Sequence, residues 1–158
     1  MRLVFLGSDH PLQATTLLEI AKIQLKRGRI KKALHICESA LSIRTDALSE
    51  NHVDVATAMS AKAACLVARG SFGEADKLFE KSLKIAKAAV GPSHPCVAVI
   101  HVQIGTMQLR QCHFEEASAE IRSAIDIYRN SNLDEDHPQI KEALEGLERV
   151  ERAEMLCV

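Results

Sequence analysis

Histidine and cysteine are the residues of this chain with the widest chemical range, and their placement is uneven. Four histidines, His10, His52, His94 and His137, stand 42, 42 and 43 residues apart. His101, Cys112 and His113 fall near one another, with Cys96 a few residues upstream. Imidazole and thiolate are ordinary zinc ligands, and a Cys beside a His is also what a thiol nucleophile needs. The spacing supports neither chemistry. There is no CxxC or HExxH motif, and one histidine per repeat puts the four on stacked helices about 10 Å or more apart, too far to share an ion. Nor is there a glycine-rich phosphate loop, a GxSxG elbow or a paired-carboxylate arrangement. The residues predict no enzyme, no metal site and no cofactor.

Composition narrows the class. The chain has 158 residues, 47% hydrophobic and 26% charged, a balance suited to one globular domain or a short repeat array. Aromatic residues reach only 3%, with no Trp, so a core must be built from Leu, Ile, Val and Ala. A formal net charge of −1 lacks the positive field that nucleic-acid binding needs. No stretch approaches the ~20 apolar residues of a membrane span, and the apolar run in Met1–Leu6 is too short for a signal-peptide core. Cys37, Cys65, Cys96, Cys112 and Cys157 are odd in number and widely spread, as reduced thiols of a cytoplasmic protein would be.

The histidine period leads to the elements. Each of the four follows a helix-capping residue (Asp9, Asn51, Ser93, Asp136), and three precede Pro11, Pro95 and Pro138. A cap followed by a proline opens a helix, because proline lacks an N–H that would be unpaired there anyway. The same period recurs inside each unit. Small residues stand at Ala21, Ala63 and Gly105, and turn residues at Gly28, Gly70 and Cys112. Large apolar residues follow at Ile30, Phe72 and Phe114. Two further small columns are Ala33/Ala75/Ala117 and Ala40/Ser82/Ala124. Small residues mark close helix crossings and the large ones fill the space beside them. The pattern predicts helix pairs at 11–27 and 30–48, 53–69 and 72–89, and 95–110 and 114–130. A lone pair cannot bury its apolar face, so stacking supplies the core.

These residues resemble tetratricopeptide repeats, in the 42-residue variant of kinesin light chains, over residues 9 to 156. The resemblance implies an all-α, right-handed solenoid of three helix-turn-helix pairs plus a C-terminal capping helix. Repeats are placed at 9–50, 51–92 and 93–135, with the capping helix in 136–158, where Glu148 replaces the small residue. Residues 1–8 read either as the remnant of a preceding repeat or as an N-terminal lid.

The resemblance also implies a concave, peptide-binding groove lined by the first helices. It places Thr15, Leu18, Lys22 and Lys26 there from the first unit, and Thr57, Ser60, Ala64 and Val67 from the second. The third contributes Val99, Val102, Thr106, Leu109 and Arg110. Such a lining suits a protein or peptide segment that is largely apolar and carries acidic groups. The paired Asn of kinesin light chains is absent, its sites holding Leu18-Glu19, Ser60-Ala61 and Val102-Gln103. The Lys/Asn carboxylate clamp of chaperone-binding repeats is also missing.

Charge is polarised: residues 1–50 carry +3, 51–92 carry +2 and 93–158 carry −6, with six basic residues between Lys22 and Lys32. The expected function is a non-enzymatic adaptor or scaffold. It would bind a partner in the groove or at an open N-terminal edge formed by Leu3, Val4, Phe5 and Leu6, where self-association or a larger complex is also expected. The alternative is a structural part of a cytoskeletal or transport assembly with an unused groove.

Overall fold

In the computed structural model the described residues are 11–157, and every regular element among them is an α-helix. In chain order these are α1 (Pro11–Lys26), α2 (Ile30–Ala47), α3 (Val53–Arg69), α4 (Phe72–Val90), α5 (Pro95–Arg110), α6 (Phe114–Asn130) and α7 (Pro138–Cys157). Each bound of α1 to α6 lies within a residue of the position that the repeat columns predict. The all-α helical repeat fold is therefore the observed one.

The helices begin on the histidines themselves. His52 and His94 adopt extended backbone angles, and their ring Nδ1 atoms accept from the N–H of Asp54 (3.1 Å) and Cys96 (3.2 Å). His137 does the same for Gln139 at 3.3 Å. The capping residue is thus one place later than Asn51, Ser93 and Asp136, and Asp136 instead pairs with Lys141. The ring reaches past the first helical position to the next free N–H, so a proline at that first position costs nothing. His10 lies outside the described residues.

The helices end on a repeated turn. Ser71 N–H donates to the Leu66 carbonyl while Gly70 N–H donates to Val67, a Schellman closure with Gly70 at φ 90°. The same pair of bonds closes α1 at Gly28–Arg29, α5 at Cys112–His113 and α6 at Asn132–Leu133. Cys112 holds φ 61° in the column where the other copies have glycine.

By Cα packing the chain divides into two compact units, Met1–Leu78 and Phe79–Val158, with the division inside α4. In the first, α2 packs on both α1 and α3, around Ala14, Leu18, Ala21, Ala33, Cys37 and Cys65. In the second, α6 packs on both α5 and α7, around Ala117, Ile121, Ile125, Tyr128, Ile140 and Val150. A 42-residue repeat is the unit of pattern, whereas burial is shared with the next first helix. The column of Ile30, Phe72 and Phe114 is only half-buried; among the described residues the aromatics sealed inside are Phe79 and Tyr128.

The small columns do what their size suggests. Ala33, Ala75, Ala117, Ala40, Ser82 and Ala124 are fully buried. At Gly105 a Cβ would stand 2.7 Å from Ile121 Cγ1 and 3.1 Å from the Ala117 carbonyl oxygen. At Gly146, on the other side of the same isoleucine, a Cβ would meet Ile121 Cδ1 at an ordinary 3.5 Å. Glu148, in the small-residue column of α7, is exposed and pairs with Arg152.

Two predictions follow from these contacts. Gly105→Ala should destabilise the chain by about 1–2 kcal/mol in urea unfolding, because overpacking exceeds the roughly 1 kcal/mol helix-propensity gain of alanine. Gly146→Ala should be neutral or stabilising. At the caps, His94→Ala should cost about 0.5–1 kcal/mol while His94→Asn keeps the stability, read from the same unfolding midpoints.

Candidate functional site

In the first unit the polar side chains converge where α1, α2 and the start of α3 meet. Arg44, in the last turn of α2, is only 4% exposed. Its Nη1 donates to the Asp54 carbonyl at 2.7 Å and to Thr57 Oγ1 at 2.6 Å, and its Nη2 donates to Thr15 Oγ1 at 3.0 Å. Thr57 in turn donates to the Asp54 carbonyl. Nε is buried without a hydrogen-bond partner. Burial lowers the pKa of the guanidinium, and the Asp54 carboxylate offsets part of that effect. One buried cation thus ties three helices together through two threonines of the expected groove.

The other expected groove residues divide by burial. On α1, Lys22 and Lys26 are exposed beside Thr15, with Lys22 held to Glu19 at 2.7 Å. On α3, Ala64 and Thr57 are half-buried. Leu18, Ser60 and Val67 are buried, at 7%, 3% and 4% exposure, and belong to the interior. Leu18 continues the apolar stripe of Ala14 and Ala21, and Ser60 is accommodated because its hydroxyl donates to the Thr57 carbonyl. In the second unit, Thr106 and Arg110 are exposed on α5, whereas Val99, Val102 and Leu109 are half-buried against the core. Leu3, Val4, Phe5 and Leu6 lie outside the described residues.

Two features escaped the sequence reading. Arg44 shares its register column with Ala86 and Tyr128, both buried. A charge in a column otherwise filled by core residues is the signal that would have marked it. His101 Nδ1 lies 2.5 Å from Glu120 Oε2 and joins α5 to α6 through a part-buried hydrogen bond. The ring is thereby engaged, while Cys112 and His113 face solvent at the turn. Among the described residues no three His, Cys, Asp or Glu side chains gather as a metal-ion site, and no helix is long and apolar enough to cross a membrane.

The tetratricopeptide repeat model matches twice, over residues 12–88 and 54–130. This chain belongs to the tetratricopeptide repeat family. It is similar to the protein kinesin light chain-related 1 of Arabidopsis thaliana, 24% identical over 120 residues, which cover 75% of this chain and 20% of that protein. It is also similar to tetratricopeptide repeat protein 19, mitochondrial, of Mus musculus, 24% identical over 125 residues, 79% of this chain and 32% of the other. The chain therefore spans about a third or less of these two relatives.

Among solved structures, BtubC (BKLC) from P. vanneervenii superposes with a TM-score of 0.70 at 21% identity, covering 95% of this chain and 60% of that one. The TPR-like repeats of a Podosopora anserina protein assigned as a kinesin light chain give 0.74 at 20% identity, covering 92% and 68%. The tetratricopeptide fold is thus of the kinesin light chain-like kind. Tetratricopeptide repeats generally mediate protein–protein interaction.

The Arg44 network makes a direct prediction. Arg44→Ala should lower stability by about 2–4 kcal/mol, since it opens a cavity and strands Thr15, Thr57 and the Asp54 carbonyl. A double-mutant cycle with Thr57→Val, followed by urea unfolding, should return a coupling of about 1 kcal/mol or more. A coupling near zero would mean that the short distances carry no energy.

Proposed function

We propose that this chain is a non-catalytic protein-binding module of the adaptor or scaffold type, acting in the cytoplasm. Its ligand would be a peptide or partner segment lying along the first helices of the repeats. The observation that carries this reading is the strip of Thr15, Lys22 and Lys26 on α1 beside half-buried Thr57 and Ala64 on α3. The two helices pack together and are cross-linked by Arg44. A strip with two lysines, hydroxyls and small apolar groups suits a segment bearing acidic and small apolar side chains. Thr106 and Arg110, exposed on α5, offer similar chemistry within the second unit. The repeat bounds 9–50, 51–92 and 93–135 and the cap 136–158 are the units in which such a ligand would be read.

A second reading is favoured by one separate observation. Ile20 and Ile23 of α1 are 38% and 49% exposed. Ile23 stands one period before Cys65, which is buried against Cys37 of the preceding helix α2. The Ile20/Ile23 face of α1 would then be an assembly surface in a cytoskeletal or transport complex, a reading supported by the likeness to kinesin light chain-related 1.

Fluorescence anisotropy with a library of labelled Glu/Ala/Leu-containing peptides separates the two. Reversing Lys22, Lys26 and Arg110 to Glu should weaken the selected peptide at least about tenfold at ~0.1 M salt, with the difference shrinking at ~1 M. Equal affinity for the reversed variant would overturn the groove reading. Loss of partners only on Ile20→Ser/Ile23→Ser would establish the second.

A further inference from the structure

A separate pocket lies in the first unit at the opposite end of the helix pair from Arg44. It has a volume of about 640 Å³ between the α1–α2 turn and the end of α3. Ile30 and Leu34 contribute apolar surface, and Arg29, Lys31, Lys32 and Arg69 supply four cations. Arg69 already meets Glu74 at 3.4 Å; Arg29, Lys31 and Lys32 have no ion pair to a described residue. The charge is uncompensated along the chain as well. The first turn of α2 holds no acidic residue and its start has no side-chain cap, whereas α4 opens with Glu74 and α6 with Glu115 and Glu116. Two lysines in a first turn oppose the helix dipole.

The second unit presents the opposite surface. The last turn of α7 contains no basic residue. Met155 and Leu156 are 72% and 87% exposed, next to exposed Glu151 and Glu154. Glu151 approaches Arg122 only at 3.9 Å, and Glu154 has no ion pair to a described residue. Here a carboxylate sits at the negative end of a dipole, again the unfavourable arrangement. One surface is apolar with surplus cations, the other apolar with surplus carboxylates.

We propose that this pocket receives the C-terminal turn of α7 from a second copy of the chain. Met155 and Leu156 would enter the apolar part while Glu151 and Glu154 face Arg29, Lys31 and Lys32. Donor and acceptor are different patches, so the contact is heterologous, and each copy retains one unused half for the next. The proposal goes beyond the peptide-binding reading and uses other residues.

Sedimentation velocity tests it on the whole chain. Between about 10 μM and 1 mM at low salt, the mean sedimentation coefficient should rise with concentration, and ~0.5 M salt should abolish the rise. Lys31→Glu/Lys32→Glu and Glu151→Lys/Glu154→Lys should each be monomeric alone, with unchanged circular dichroism. Mixing the two should restore association, because the reversed charges match in both directions. Met155→Ser/Leu156→Ser should stay monomeric with every charge intact. A wild-type chain that is monomeric throughout, association that survives the lysine reversal, or a mixture that stays monomeric would overturn the proposal. So would an added Glu/Leu peptide that fills the pocket of a chain that never self-associates. Lys22→Glu/Lys26→Glu should leave self-association within about twofold, so that failure here and failure of the groove reading are distinct results.

Discussion

Close approach of paired helices, made where a side chain is reduced to a methyl group or a hydrogen, is the contact on which the structure rests. At Gly105 even a methyl would collide with Ile121 and with the backbone of α6. Where the backbones come so near, little room is left between them for large rings. The chain has only four Phe and one Tyr, and of the aromatics among the described residues Phe79 and Tyr128 are sealed within the core. A thin interior of this kind has many short contacts and few cavities, so its stability depends on shape more than on the amount of apolar surface. It also brings polar atoms inside. Ser60 and Ser82 are buried, and Arg44 is buried as a full charge.

The repeat made the helices legible, because each boundary was stated in more than one copy. A column shared by Gly28, Gly70 and Cys112 can only be a turn, and the φ of Cys112 shows that the position demands the left-handed conformation even from a residue that disfavours it. What stayed hidden was what each side chain does within its column. The caps lay one residue off because His is not a common capping residue, and only the geometry shows its ring nitrogen accepting from the backbone. Leu18, Ser60 and Val67 were assigned to a surface by likeness to other repeats, yet their exposure depends on how wide a face the neighbouring helices cover. The partners of Arg44 and His101 are 10 to 29 and 19 residues away, on different helices, and no local pattern announces such pairs.

The surface has an electrostatic order that the net charge conceals. Many charges are settled within the chain: Glu19 with Lys22, Glu38 with Lys62, Arg129 with Glu135, Asp136 with Lys141. Exposed pairs of this kind contribute little to stability, but they remove their members from the field felt by an approaching molecule. Around the α1–α2 turn Arg29, Lys31 and Lys32 remain without a described ion-pair partner.

Repeats built on the same small-residue columns face a hazard during folding, since any second helix offers much the same stripe to any first helix. Arg44 breaks that equivalence. Its partner column reads Thr15, Thr57 and then Val99. An α2 that docked in error on α5 would confront its guanidinium with an isopropyl group and would bury a cation without that acceptor, at a cost of several kcal/mol. A residue that ties the correctly assembled core together can thus also act as an address, admitting the neighbour that follows in sequence and rejecting its look-alike one period further on.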